Sequence, residues 1–596
     1  MNRKPLLLVL FALGAATLLS ACGSSTKPAI GVSISGAPSS LEVSDPASFS
    51  ATVTNDAANG GVTWTCSPSP CGTFTPAATA SGASTTYLAP NTAGSVTITA
   101  TSVTDSTETG TATITINAIA STASLTGTYT FFVSGEDFTN SVYGAAGSFT
   151  ADGAGNITAG EEDYDAYLLQ DADDPFTGTY TLGADGRGTM TITLTNNLTI
   201  GESGVQTFAI AVTSATHAVI INFDDSAVAS GTLDAQTLSA SDTSVLSGGY
   251  SFIFNGADAI ADLYQTGGGV LSADGAGNLA GETVDYDDGG GFFTDTPTGE
   301  TYSAPDANGR GNITIDGSYM AYYVVSGEVA RFVEIDGSYI ENGSLYSQGS
   351  GNVFSDASLT GTFTFGEESL DYDLGPAALA GQFTGDGAGN LTVGVADVND
   401  NSGFPELADS LVGGTYIIAN TGGGRGTLAI PAIGDDLDFA AYQVYFVDPA
   451  LNILDPNNAS GGGGALLLDV DPEVDGIGEI LPQADPSTVA FQGNYAFNVD
   501  YYLDNSYSGQ FLSDGVSAFT GTLDGFPGDA ADTAVPLTGT WALDATNAGR
   551  ATSSATIAYT VPVTLTFTDY LASSNVQFIV DMDATSVGGL GVVEHQ

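Results

Sequence analysis

From residue 123 onward, apolar and polar residues alternate with a period of two through short runs separated by Gly, Asp and Asn. That is the pattern of antiparallel strands with one apolar face. Within 123–238 the runs 127–134, 144–151, 155–163, 176–183, 186–194, 205–212, 217–224 and 229–235 predict eight strands. The apolar faces collect Tyr129, Phe131 and Val133; Met190, Ile192 and Leu194; Phe208, Ile210 and Val212; and Val219, Ile221 and Phe223. The connections are mostly short, so neighbours in sequence are expected to pair as a meander. Eight meandering strands close most economically into an up-and-down barrel, which removes exposed sheet edges. A two-sheet sandwich is the competing closure.

The same pattern returns three times. The phrase ADGAGN at 151–156 recurs within LSADGAGN (271–278) and FTGDGAGN (383–390), and in worn form as LSDGVSAF (512–519). A second phrase follows each copy: GRGT at 186–189, GRGN at 309–312, GRGT at 424–427 and GRAT at 549–552. The interval of about 120 residues exceeds the 20–50 residues of a solenoid unit, so each copy is large enough to close its own core. This divides the chain into β modules at 123–238, 245–348, 358–470 and 489–591, with 471–488, acidic and Pro-containing, as a linker.

Turn chemistry assigns both phrases to hairpins. Asp152, Asp274, Asp386 and Asp514 are placed to accept turn amides, and the following glycines to take positive φ. Arg187, Arg310, Arg425 and Arg550 enter a strand from the second hairpin. Each is expected to brace its own barrel, either through the hairpin Asp or through the acid seven residues after the motif Asn, which is Asp163, Asp285 or Asp397, with Asp524 roughly equivalent.

Charge changes the picture of partners. The 596 residues carry 68 Asp and Glu against 8 Lys and Arg, a net charge of -60. Nucleic acid and anionic lipid need cations this surface lacks, so neither is a partner through charge. An aromatic content of 9% sets the chain apart from disordered acidic polymers. Five cations lie beyond residue 28, and all but Arg331 sit in the GR(G/A) phrase.

The start of the chain reads differently. Residues 1–21 have a positive N-terminus and an apolar run from Leu6 to Leu19, too short and wrongly flanked for a spanning helix, which predicts a secretion signal. Leu19-Ser20-Ala21-Cys22 resembles the lipobox of bacterial lipoproteins. That resemblance implies acylation of Cys22, a tether at 22–28, and membrane attachment through N-terminal acyl chains, with Gly23 pointing to the outer membrane or cell surface. Residues 29–118 contain VSISG, FSATVTND, GVTWTCSPSPCGTF, TTYLAP and SVTITATSV followed by TATITI. On these the stretch resembles the bacterial immunoglobulin-like (Big) family, implying an antiparallel sandwich used as a stalk or adhesion module. In an exported, oxidised chain Cys66 and Cys71 are expected to form a disulfide. The repeats themselves resemble modules of large bacterial surface lipoproteins.

Candidate chemistry is sparse. The loop between the third and fourth strands is acidic in every module, and calcium, which takes six to eight oxygens, is the one cofactor to consider. Its candidate ligands are Asp163, Asp165, Asp285, Asp287, Asp397 and Asp400, although no loop has EF-hand spacing. No GxSxG or P-loop phrase occurs, and His217 lies in an alternating strand with no partner pattern around it. The expectation is an all-β, lipid-anchored surface protein, not an enzyme, acting in adhesion or display toward a surface glycan or protein. Small-molecule or glycan binding inside the barrels and a carboxylate-based hydrolase are the alternatives.

Overall fold

The computed structural model describes residues 28–596 apart from 44, 91, 122–123, 138–140, 167–168, 197–202, 223–226, 239–240, 259–262, 289–290, 338, 420–422, 434–438, 459–461, 473, 485–490, 502–504, 527–531 and 585. The leader and Cys22 lie outside these residues, as does Phe223. The fold is all-β, and no described helix is long and apolar enough to cross a membrane.

Residues up to Asn117 form two sheets. One contains Gly31–Ser35, Pro46–Thr54, Ser84–Leu88 and Thr73–Thr75; the other runs from Ser40–Glu42 through Thr109–Asn117, Gly94–Ser102 and Val62–Ser67 to Ala78–Thr79. Alternate residues from both sheets bury Phe49, Trp64, Tyr87, Ile98 and Ile114 between them. The Cys66–Cys71 disulfide is present.

In the first module the meander closes on itself: Thr126–Asp137, the first strand, pairs with both Val142–Asp152 and the last strand, Ala227–Ala235. The fourth module closes in the same way, Gln492–Tyr501 against Leu590–His595. The second and third are the same meander with the fourth and fifth strands parted. Phe293–Asp295 and Arg310–Ile315 end one sheet, and Glu406–Ser410 and Thr415–Ile418 the other, but bridges span part of each gap: Thr301 pairs with Asn278, Tyr302 with Ile313, and Thr415 with Asn390. One cross-strand register recurs in all four modules: Phe131 faces Gly147, Phe252 faces Gly269, Phe365 faces Gly381 and Phe497 faces Gly509. In the first three modules the ring lies over the bare backbone of the glycine, an arrangement that pins register and lets the sheet curl. A Cβ on Gly147 would sit 2.4 Å from the Phe131 ring. Inside the first barrel Phe131 also meets Phe176 and Phe208 at centroid distances of 6.2 and 5.9 Å.

Two expectations change. The stretch 471–488 is not only a linker, because Val474–Pro482 is a strand that pairs with Ala465–Asp469 and with Thr360–Asp371. It gives the third module a ninth strand. Its acids conceal a period-two pattern in which Val474 and Ile480 enter the core. The second change concerns phase. On His217–Asn222 the barrel core takes Ala218 and Ile220, whereas Val219 and Ile221 point outward. All six residues of this strand are buried, so both faces are apolar and alternation could not say which is inside.

The outward faces are buried because the modules pack on one another. Ala146 of the first meets Tyr323 and Val333 of the second. One cluster joins Ile253 and Tyr346, Tyr445 and Leu466, and Tyr570 and Phe578, from the second, third and fourth modules. Ala496 of the fourth returns to Ala211 and Val219 of the first. The four modules therefore form a closed ring. The N-terminal sandwich rests near the closing seam, where Asn494 Nδ2 donates to the Val43 carbonyl at 3.1 Å and Ile119 N–H to the Ala184 carbonyl at 3.1 Å.

Gly147→Ala forces a Cβ into the Phe131 ring and to 2.6 Å from the Glu161 carbonyl oxygen, and overpacking of this kind costs about 1–3 kcal/mol. Calorimetric unfolding should show a lowered transition for this variant, and none if the aromatic ring does not depend on the bare backbone.

Candidate functional site

The hairpin aspartates behave alike in the three well-preserved copies. Asp152 Oδ1 accepts the amides of Ala154 and Asn156 at 2.7 and 2.9 Å while Oδ2 accepts Asn156 Nδ2 at 2.6 Å, and Asp274 and Asp386 repeat the set. Gly153 and Gly155 take φ of 73° and 97°, which a side chain would strain. Asp514 closes its turn on three amides. The Asn side chain and then the turn amides hold the carboxyls of Asp152, Asp274 and Asp386 below the ordinary range. None of the four hairpin acids receives a motif arginine.

Each motif arginine instead crosses to another module. Arg310 of the second grips Asp163 of the first, Nε to Oδ2 at 2.6 Å and Nη2 to Oδ1 at 2.7 Å. Arg425 of the third grips Asp285 of the second at 2.6 and 2.6 Å, and Arg550 of the fourth grips Asp397 of the third at 2.7 and 2.7 Å. Arg187 of the first completes the circuit by donating Nη1 to Asp524 of the fourth at 2.6 Å. The expected bracing of each barrel by its own arginine is thus corrected. A strand leaving the second hairpin aims its first side chain outward across the seam, not back into its own barrel.

A tyrosine joins three of these pairs. Register places Tyr323 opposite Arg310, Tyr445 opposite Arg425 and Tyr570 opposite Arg550. Their hydroxyls donate to Asp163 Oδ2 at 2.6 Å, to Asp285 Oδ2 at 2.8 Å and to Asp397 Oδ2. In the first module that position is Ala211, so the closing pair has no phenol. A second circuit runs the other way. Gln236 donates to the Val324 carbonyl at 3.0 Å, Gln348 to Gly423, Gln483 to Leu571 at 3.0 Å, and the terminal Gln596 to Val212 at 2.7 Å. The glutamine that ends each module was a readable signal, carried by LDAQ, LYSQ, ILPQ and VEHQ.

This geometry removes half of the calcium candidates. Asp163, Asp285 and Asp397 are fully buried and have both oxygens bound by guanidinium. Asp165 lies buried beside Glu334 of the second module, and burial and that neighbour hold its carboxyl well above the usual range. Asp287 is buried beside Asp475 of the third module. Asp400 accepts the Ser402 amide at 3.1 Å. Among the described residues no group of three or more His, Cys, Asp or Glu is arranged for a metal ion.

The two cations without an assigned role meet near the centre of the ring. His217 places Nδ1 2.7 Å from Asp234 and Nε2 3.3 Å from Glu594 of the fourth module, and Arg331 of the second donates to Asp234 at 3.1 Å. Burial alone would lower His217, but Glu594 and Asp234 override it and hold the imidazolium well above its usual pKa. Beside this network lies a cavity of about 250 Å³ lined by all four modules. The fourth barrel encloses only about 60 Å³, among Phe497, Phe511, Leu523 and Phe567. That is far below the ~300–1,000 Å³ of ligand pockets, so its interior is essentially filled.

Among the described residues, large apolar side chains are exposed on the second module at Phe292, Phe293, Tyr319 and Tyr339, on the fourth at Leu543, Val561 and Val563, and on the third. Phe404 is 77% exposed, and Val393, Leu407, Val412 and Ile417 are also exposed, on and around the strands that border the third module's gap.

No protein-family model matches the chain, and no curated protein matches it. Among solved structures it aligns with a variant of the vaccine antigen transferrin binding protein B from Haemophilus parasuis Hp5, 11% identical over 63% of this chain and 82% of that one, with a TM-score of 0.18. Intact Ap-TbpB, with its N and C lobes, aligns at 10% identity over 79% of this chain and 95% of that one, with a TM-score of 0.17. Overlaps this low carry no argument about partner or mechanism.

Removing one partner of a buried pair leaves an uncompensated charge, at a cost of about 3–5 kcal/mol. Arg310→Ala and Arg425→Ala should lower the calorimetric transition of the intact chain by that order. Arg187→Ala, which removes a single Nη1 contact from an aspartate side chain 12% exposed, should cost less, and equal losses at all seams would refute the ranking. pH supplies a second check. Burial raises Glu162 and Glu282 to about 8 and Glu341 and Asp569 to about 7. The native state keeps these protons over a range where the unfolded chain has released them, so stability falls as pH rises from about 4.5 to 8. His217, also raised, adds stability that is present below pH 6.5 and lost above it. The melting temperature should be higher at pH 5.5 than at pH 8.5, and the opposite order would rule out proton retention in the core.

Proposed function

We propose that the protein is a non-catalytic binding protein of the bacterial envelope, held by an acylated Cys22 and presenting a rigid ring of β modules to a protein partner. The observation that carries the reading is the exposed apolar group at Val393, Phe404, Leu407, Val412 and Ile417 on an otherwise strongly acidic chain. Exposed apolar side chains grouped in this way mark interaction sites. The lipobox at 19–22 and the Big-like residues 29–118 support attachment to the membrane and elevation above it. At the seams Asp163 and Asp285 are held by arginine and tyrosine and so are not free to act as an acid and base pair.

A photo-crosslinking side chain installed at Phe404 or Leu407 of the cell-displayed protein should yield a discrete protein adduct. The same side chain at Val516, equally exposed on the fourth module's hairpin, should not. Phe404→Asp with Ile417→Asp should abolish the adduct while leaving the melting temperature unchanged, and identical adducts from both positions would sink the reading. Cys22→Ser should shift the protein from the detergent phase to the aqueous phase.

A further inference from the structure

The cavity at the ring axis has features that the surface reading does not use. The third module contributes Glu368 and Glu479 to its wall, and the fourth contributes Asp500. Glu368 has no cation beside it; burial and then the carboxylates of Asp500 and Glu479 push its carboxyl well up. Glu479 is raised to about 7 by burial, opposed only by Arg331. Yet Arg331 is committed elsewhere, donating to Asp234, Ser344 and Tyr346. Burial also raises Asp500 to about 6, although Ser506 donates to it at 3.2 Å.

A second observation points to a ligand independently of the acids. Asn342 of the second module lines the same cavity, is fully buried, and has neither its amide oxygen nor its nitrogen hydrogen-bonded. Asn498 Oδ1 on the fourth module's wall is also without a partner. Buried polar groups left in this state cost about 1–3 kcal/mol each, so they mark places where something else is meant to bind. His217, Arg331 and Glu594 also line the cavity, the two cations already paired with Asp234 and His217 with Glu594 as well, and the apolar part of the wall includes Phe132, Ile253, Ile453 and Ile477. Acceptors contributed by the second, third and fourth modules, beside hydrocarbon on the same wall, match a molecule that carries cationic donors on a methylene chain. A volume of about 250 Å³ holds only a few carbons with two such donors.

We propose that the axial cavity binds a linear alkyl diamine, its ammonium groups paired with Glu368, Glu479 and Asp500 and its remaining N–H donors directed to the Asn342 and Asn498 oxygens. The ligand joins walls from all four modules, so occupancy couples directly to closure of the ring. Binding draws protons from carboxyls that are otherwise kept neutral, so it releases protons near neutral pH. Inorganic cations lack the hydrocarbon needed to span the apolar walls.

The test is calorimetric titration of 1,4-diaminobutane into the full protein at pH 6.5 and physiological salt, in two buffers of different ionisation enthalpy. One saturable site per chain is expected, with a buffer-dependent heat that reports proton release and a raised melting temperature. Glu368→Gln with Glu479→Gln removes charge without removing volume. It should keep the fold, verified by its own melting curve, and weaken binding roughly tenfold or more. An absence of saturable heat would overturn the proposal, as would unchanged affinity in the double variant. Equal competition by magnesium chloride would reduce the effect to counter-ion uptake by an acidic surface, and equal affinity for n-butylamine would refute the two-ended site. The crosslinking experiment at Phe404 does not depend on this cavity, so the two readings fail separately.

Discussion

An arginine that reaches past its own barrel to the aspartate of another is the interaction on which this architecture depends. A guanidinium fork satisfies both oxygens of a carboxylate, and in a dry seam that pairing is strongly directional. Three seams reinforce it with a tyrosine hydroxyl and the fourth does without one. The arginines point back along the chain and the terminal glutamines point forward, so each seam is stitched from both sides. Such bonds between unlike edges of like units generate an open array unless the rotation closes. Here the fourth module meets the first, and Arg187 and Gln596 complete the two circuits.

Concentrating so few cations at the seams leaves an acidic chain with many carboxyls buried beyond the reach of any positive charge. Transfer of an ionised carboxylate into such surroundings is costly, and the group keeps its proton instead. Glu162, Glu282 and Glu367 illustrate the result in three different modules. Protonated acids become hydrogen-bond donors, which allows seams rich in aspartate and glutamate to pack without mutual repulsion. The ring axis is where this device is most concentrated, and where unbonded amide groups accompany it.

A ring braced in this manner is a stiff platform. Its barrel interiors are occupied by Phe, Tyr and Leu side chains, so the proposed binding falls to the outside and to the axis. The exposed group around Phe404 lies on and beside the strands that end the third module's sheet. The sandwich beside the closing seam sits between that platform and the N-terminal segment that carries Cys22.

Alternation of apolar residues, the spacing of ADGAGN and GRG, and the turn preferences of Asp and Gly were enough by themselves to determine strands, hairpins, meander order and the repetition of a barrel-like unit, because each depends on contacts only a few residues apart. The same local reasoning put Val219 and Ile221 inside and read 471–488 as linker. On His217–Asn222 both faces are apolar, and on Val474–Pro482 both faces meet other protein, so a period of two carries no sign of which side is in. Arg310 and Asp163 are 147 residues apart, and nothing in the neighbourhood of either names the other. Their pairing, the closing of the ring and the cavity at its centre exist only once four surfaces are packed together, and so tertiary structure alone decided them.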